Sequence, residues 1–185
     1  MKYVSLIFIF SLSLAILAQD QQPPSYDADV WYQSLDNGES SGFEVVGGPN
    51  KLYFRAGLDM VKQDGWWDDY QSNTFRGVLG YQARLGERVT FHAGAGLFML
   101  DSDLLKDTEP GYIGEIAFRV NPVHNGLFGE LLYTNGDFFD SDMGNLKGST
   151  RLKLGFKFNE TFGLFGIYTN SDDEDATGGG VRFSW

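Results

Sequence analysis

The chain has no cysteine, only five prolines and only two histidines in 185 residues. Without cysteine there is no disulfide, no thiolate metal site and no lipid attachment of the lipoprotein kind. Two histidines, at 92 and 124, leave little for acid–base catalysis. Basic side chains are also scarce, 14 Lys and Arg against 25 Asp and Glu, for a net charge of −11. So acidic a chain is a poor nucleic-acid binder, because phosphates demand a basic surface. After residue 18 no apolar run approaches the roughly 20 residues that a spanning helix needs.

The one long apolar run, over 4–17, follows Lys2 and ends at Ala18, ahead of Gln-Asp-Gln-Gln-Pro-Pro. This reads as an export signal over 1–18, cleaved after Ala18, and it falls short of a retained membrane anchor. A short polar segment, 19–25, then leads into a single domain over 26–185. What that domain has in quantity is glycine, 24 residues, and aromatics, 16% of the chain. With few prolines, this mixture points to strands and turns rather than to disorder.

Ten alternating runs are expected as strands, at about 26–34, 41–47, 51–62, 74–85, 88–100, 111–120, 126–134, 148–158, 162–170 and 177–185. The second is short, so eight strands preceded by a hairpin is the other reading. Short turns at 48–50, 86–87, 121–125 and 159–161 alternate with longer polar stretches at 35–40, 63–73, 101–110, 135–147 and 171–176. Short turns on one rim and long loops on the other is the rhythm of a transmembrane barrel.

Period two is clear within the strands. Phe75, Leu79, Tyr81, Ala83 and Leu85 share one face, opposite Arg76, Val78, Gly80, Gln82 and Arg84. Leu152, Leu154, Phe156 and Phe158 likewise oppose Arg151, Lys153, Gly155 and Lys157, whereas 162–170 is apolar on both faces. Alternation alone does not say which face is outside: a soluble ligand-binding barrel would turn the apolar set inward. The loop rhythm favours the membrane, as do aromatics near strand ends (Phe158, Phe162 and Trp185 at one, Tyr32, Phe75, Tyr112, Tyr133 and Tyr168 at the other). So does the ending Val181-Arg182-Phe183-Ser184-Trp185. There Val181, Phe183 and Trp185 share one face, like the terminal signal that the outer-membrane assembly machinery recognises.

The size, the export signal, the strand rhythm and the acidic stretch 171–175 before Gly178-Gly179-Gly180 resemble YfaZ-type outer-membrane proteins over roughly 26–185. The resemblance implies an outer-membrane barrel without an established activity, and it transfers no functional residue.

With the apolar face outward, the lumen receives Arg55, Arg76, Arg84, Arg88, Arg119, Arg151, Lys153, Lys157 and Arg182. Against them stand Asp29, Glu44, Asp59, Glu115 and Glu130, with His92 near the end that holds the short turns. Such charges must pair or stay hydrated. Paired, they fill a narrow barrel, with Gly57, Gly80, Gly94, Gly96, Gly114 and Gly155 making room for arginines. Unpaired, their basic excess suits a small anion-preferring channel. An eight-stranded interior is just filled by side chains, and ten strands sit nearer that end than the 16 to 18 of porins.

The loops are acidic, and Asp140, Asp142, Asp172 and Asp173 are the weak candidates for a hard cation, though the spacing of a calcium loop is lacking. A solvated rim is the plainer account, and Trp66, Trp67, Tyr70, Phe138 and Phe139 give the same loops exposed aromatics. No phosphate-cradling or Cys/His motif is present, so no cofactor is expected. Neither histidine reaches the outer rim with a serine and an acid, so no enzyme is expected either. The sequence thus reads as an all-β, up-and-down antiparallel transmembrane barrel of eight to ten strands, ten preferred, in a Gram-negative outer membrane. It is expected to act without catalysis in a structural or surface-interaction role, as a monomer whose partners are the bilayer, lipopolysaccharide and the assembly machinery.

Overall fold

A computed structural model describes residues 25–64, 70–103, 107–121, 125–140, 148–171 and 175–185. The expected signal over 1–18 lies outside them. So do His124, Trp66, Trp67, Asp142, Asp172 and Asp173.

Ten antiparallel strands form one closed barrel: β1 Ser25–Leu35, β2 Gly38–Gly48, β3 Leu52–Gln63, β4 Tyr70–Arg84, β5 Val89–Ser102, β6 Glu109–Val120, β7 Gly126–Phe138, β8 Ser149–Lys157, β9 Phe162–Ser171 and β10 Asp175–Ser184. Each strand pairs with its sequence neighbours, and β10 returns to β1 with Asp29 opposite Arg182 and Val30 opposite Val181. Closure leaves no edge, so each strand's backbone groups find partners on both sides, which a hydrocarbon surrounding requires.

The apolar faces point outward. Leu79 is 74% exposed and Leu127 77%, and Val30, Phe43, Leu97, Leu131, Leu154 and Leu164 stand on the same outer surface. Burying such a side chain is worth about 1.5–3 kcal/mol over leaving it in water, so a soluble fold would forgo that at each position. The exterior therefore suits lipid, and the soluble-carrier alternative, which needs these faces inside, is corrected. Among the described residues no helix is long and apolar enough to cross a membrane.

Two details depart from the sequence reading. The stretch 35–40 is not a long loop: β1 and β2 are joined by Asp36 and Asn37 alone, and Gly38 follows at φ +145°. Asn-Gly is a hairpin signal, and here glycine supplies the conformation that a side chain would resist. Strands also run past their expected ends, β4 starting at Tyr70 rather than 74 and β7 reaching Phe138 rather than 134.

Candidate functional site

The inward positions of the strands bring the lumen charges together into one connected cluster. Asp27 and Asp29 come from β1, Glu44 from β2, Arg55 and Asp59 from β3, and Arg76 from β4. Glu115 and Arg119 come from β6, Glu130 from β7, Arg151 and Lys153 from β8, and Arg182 from β10.

Arg55, 0% exposed, lies at the centre. Its Nη1 donates to Glu44 at 2.9 Å and to Glu130 at 3.1 Å, and its Nε donates to Glu115 at 3.0 Å. From Glu130 the chain of ion pairs continues to Arg119 Nε at 2.8 Å, and Arg119 Nη2 donates to Asp27 at 2.7 Å. Arg182 Nη1 lies 3.9 Å from Asp27, and Arg182 grips Asp29 with Nε and Nη2, both at 2.7 Å. Lys153 joins Asp29, at 2.8 Å, to Glu44. The ring closes there, with four cations and four carboxylates in alternation around the lumen.

A second, smaller ring shares Glu44. Arg76 contacts Glu44 at 3.1 Å and Asp59 at 3.4 Å, while Arg151 contacts Asp59 at 3.2 Å and Glu44 at 3.7 Å. Glu44 thus faces four cations. Taking a charge out of water costs several kcal/mol even after relaxation, and alternation with good geometry is what offsets it. With Glu115 included, six cations meet six carboxylates among the described residues. The paired cluster itself is balanced, and the basic excess expected of this face is carried by Arg84, Arg88 and Lys157, outside it.

Membership also differs. Arg84 and Arg88 alternate correctly but sit at the rim beside the β4–β5 turn, where they are exposed and outside the cluster. Lys157, near the same rim, is half-buried. His92 is buried with its ring 4.8 Å from that of Tyr53, edge to face, and no ion pair joins it to the cluster among the described residues. Asp27, unmarked in the sequence, is a full member through Arg119 and Ser184.

Aromatic rings fill the remaining space, and sequence alternation did not assign them inward. Trp31 lies under Arg151 and Lys153, at 4.9 and 4.8 Å, and Phe128 lies 4.3 Å from the Arg182 guanidinium. Phe165 is 5.4 Å from Lys153 Nζ. Tyr53 donates to Glu115 at 2.8 Å. Most lumen glycines receive these rings rather than arginines: a methyl placed on Gly94 would lie 2.5 Å from Tyr53 Oη, on Gly155 2.5 Å from Phe128, and on Gly180 2.6 Å from Phe165. Gly57 fits the original expectation, its methyl 3.3 Å from Arg76 Nε, whereas Gly114 alternates with Glu115 and faces outward.

At the end of β10, Phe183 and Trp185 face outward as Val181 does, and Trp185 stacks on Tyr26 with ring centroids 6.0 Å apart. Paired backbone bonds between Tyr26 and Trp185, both 3.1 Å, extend the β1–β10 seam to its end. Phe183, Phe162, Phe158 and Phe156 continue the aromatic belt in successive ring contacts of 5.7, 6.0 and 5.6 Å. No group of acidic or histidine side chains among the described residues is arranged to hold a metal ion.

No protein-family model matches the chain, and no curated protein matches it. Among solved structures it resembles the KdgM porin, at 13% identity over 86% of this chain and 99% of that one, with a TM-score of 0.51. A second structure, of the KdgM porin in complex with disordered oligogalacturonate, matches at 13% identity over the same shares, TM-score 0.49. Neisserial surface protein A matches at 12% over 89% and 99%, TM-score 0.43. At this identity the first of these shares the fold, a small outer-membrane β-barrel, and nothing finer.

Proposed function

We propose that the chain is a sealed, non-enzymatic barrel of a Gram-negative outer membrane, serving a structural or surface-interaction role through its loop rim. The observation that supports a sealed lumen is the alternating ring Asp27–Arg119–Glu130–Arg55–Glu44–Lys153–Asp29–Arg182, which crosses the interior. Its members hold one another's charge, and Trp31, Phe128 and Phe165 close the space beside them. A channel needs an unpaired, hydrated column of charge, and anion preference needs a basic excess. The paired cluster offers neither.

Membrane location is supported by the apolar exterior and the aromatic belt, and the affinity with YfaZ-type proteins rests on the sequence rhythm alone. A non-catalytic role is supported by the burial of His92, which is 3% exposed and packed on Tyr53. Val181, Phe183 and Trp185 are assigned to recognition by the assembly machinery. The test is planar-bilayer recording of the purified, folded barrel. Absence of conductance steps supports the sealed reading; reproducible anion-selective steps would replace it with the narrow channel.

A further inference from the structure

The rim that carries the longer connections is acidic, with Asp64, Asp101, Asp103, Asp107, Asp137 and Asp175 among its described residues. Lys62, near the end of β3, is the one cation there among the described residues, and it faces outward. Its cross-strand neighbour is Glu39, the natural ion-pair partner. Yet no ion pair forms between them, and the Glu39 carboxylate instead accepts a hydrogen bond from Tyr32 Oη at 2.7 Å. Lys62 is left without an anionic partner among the described residues.

The same side chains line a cavity of about 180 Å³ on the outer wall, formed by Tyr32, Glu39, Ser41, Met60, Lys62 and Gln71. The register fixes its height. One row around the barrel reads Val30, Phe43, Leu58 and Phe75, all apolar. Two residues toward the rim the row is Tyr32, Ser41, Met60 and Asn73, and two further it is Ser34, Glu39, Lys62 and Gln71. The cavity therefore straddles the step from hydrocarbon to headgroup, where a lipid's polar end sits.

We propose that this cavity binds the phosphate-bearing headgroup of a membrane lipid. The Lys62 ammonium pairs with the phosphate, Ser41 and Gln71 donate to its oxygens, and an acyl chain runs down past Met60 and Leu58. The volume is below the roughly 300–1,000 Å³ of sites that enclose a whole small molecule, so it suits one headgroup with its tail outside. Glu39 lines the same cavity but is held by Tyr32, so among the described residues of this rim it is the Lys62 ammonium that can offset the carboxylates for a phosphate. The inference rests on the membrane-barrel reading and is independent of whether the lumen conducts.

The experiment uses the delipidated, folded barrel in neutral detergent micelles, with native mass spectrometry reading lipid retained after addition of lipid A, phosphatidylglycerol or a phosphate-free glycolipid. Lys62→Ala should lower retention of the phosphate lipids about fivefold, the effect of one basic side chain near a membrane surface, and Lys62→Glu should lower it further. Arg84→Ala, at the opposite rim, should leave retention unchanged, and unchanged heat modifiability confirms that each variant is folded. Equal retention by wild type and Lys62→Glu would overturn the proposal. So would equal retention of the phosphate-free lipid, which points to apolar contact alone. Displacement of bound lipid by millimolar inorganic phosphate would overturn it too, making this a free-phosphate site.

Discussion

Arg182 and Asp29 are joined by two parallel hydrogen bonds, Nε to Oδ1 and Nη2 to Oδ2, both 2.7 Å, across the seam where the last strand meets the first. This fork geometry is the strong form of a charged pair, and both groups are almost fully buried. The barrel is thus fastened side chain to side chain at its one non-local junction.

Asp29→Asn keeps the volume and removes the charge, leaving Lys153 and Arg182 short of an anion. Breaking a buried pair by removing one partner costs about 3–5 kcal/mol. Urea unfolding of the barrel in vesicles should show a loss of that size. A loss below about 1 kcal/mol, the worth of an exposed pair, would mean that the seam is held by its backbone bonds.

Two glycines one strand apart should respond oppositely to a methyl group. On Gly94 it would lie 2.5 Å from Tyr53 Oη and 2.8 Å from Val78 Cγ1, so the Tyr53–Glu115 hydrogen bond must give way. Gly94→Ala is expected to destabilise the barrel by about 1–3 kcal/mol, as overpacking does. Gly77 has nothing within 4 Å of the same position. Gly77→Ala should be neutral or slightly stabilising, because it restricts only the unfolded chain. The pair of urea midpoints checks both, and equal shifts would show that Tyr53 is not held as tightly as described.

The ten strands were legible because membrane strands must alternate: lipid on one side and a polar lumen on the other write period two into the sequence. That signal fails where both faces are wet, which is why β4 and β7 extend beyond their expected ends. It also hid the β1–β2 turn, where Gly38, Glu39 and Ser40 looked like loop but belong to a strand. Alternation named the face of Arg84 correctly but not its height, and height separates a rim side chain from a buried partner. Asp27 went unnamed although it lies in the expected strand 26–34 on the same face as Asp29, and pairing with β10 sets it in the lumen opposite Ser184. Phe128 and Phe165 were unreadable because a lumen packed with guanidinium groups tolerates aromatic faces, so their strands are apolar on both sides.

Trp185 closes the seam from outside, stacked on Tyr26 and tied to it by the final backbone pair. Trp185→Ala removes a ring contact worth about 0.5–1.5 kcal/mol, so the folded barrel should survive. If the side chain also serves recognition during assembly, outer-membrane yield in cells should fall several-fold, while refolding of the purified chain into vesicles changes little. A parallel loss in both measurements would assign Trp185 to stability alone.

Glu44 faces Arg55, Arg76, Arg151 and Lys153, and Glu130 faces Arg55 and Arg119, so these two carboxylates hold most of the lumen's positive charge in place. Replacing both with alanine shortens the side chains that bridge the interior and leaves six cations with four carboxylates in the cluster. The unpaired guanidiniums must then recruit water, because a buried charge without a partner is too costly to stay dry. A hydrated, basic column is what anion conduction requires. The Glu44→Ala, Glu130→Ala double variant is therefore expected to give anion-selective steps in planar bilayers where the wild type gives none. If a folded double variant stays silent, Trp31, Phe128 and Phe165 seal the lumen without the ion pairs, and the ring contributes to stability rather than closure.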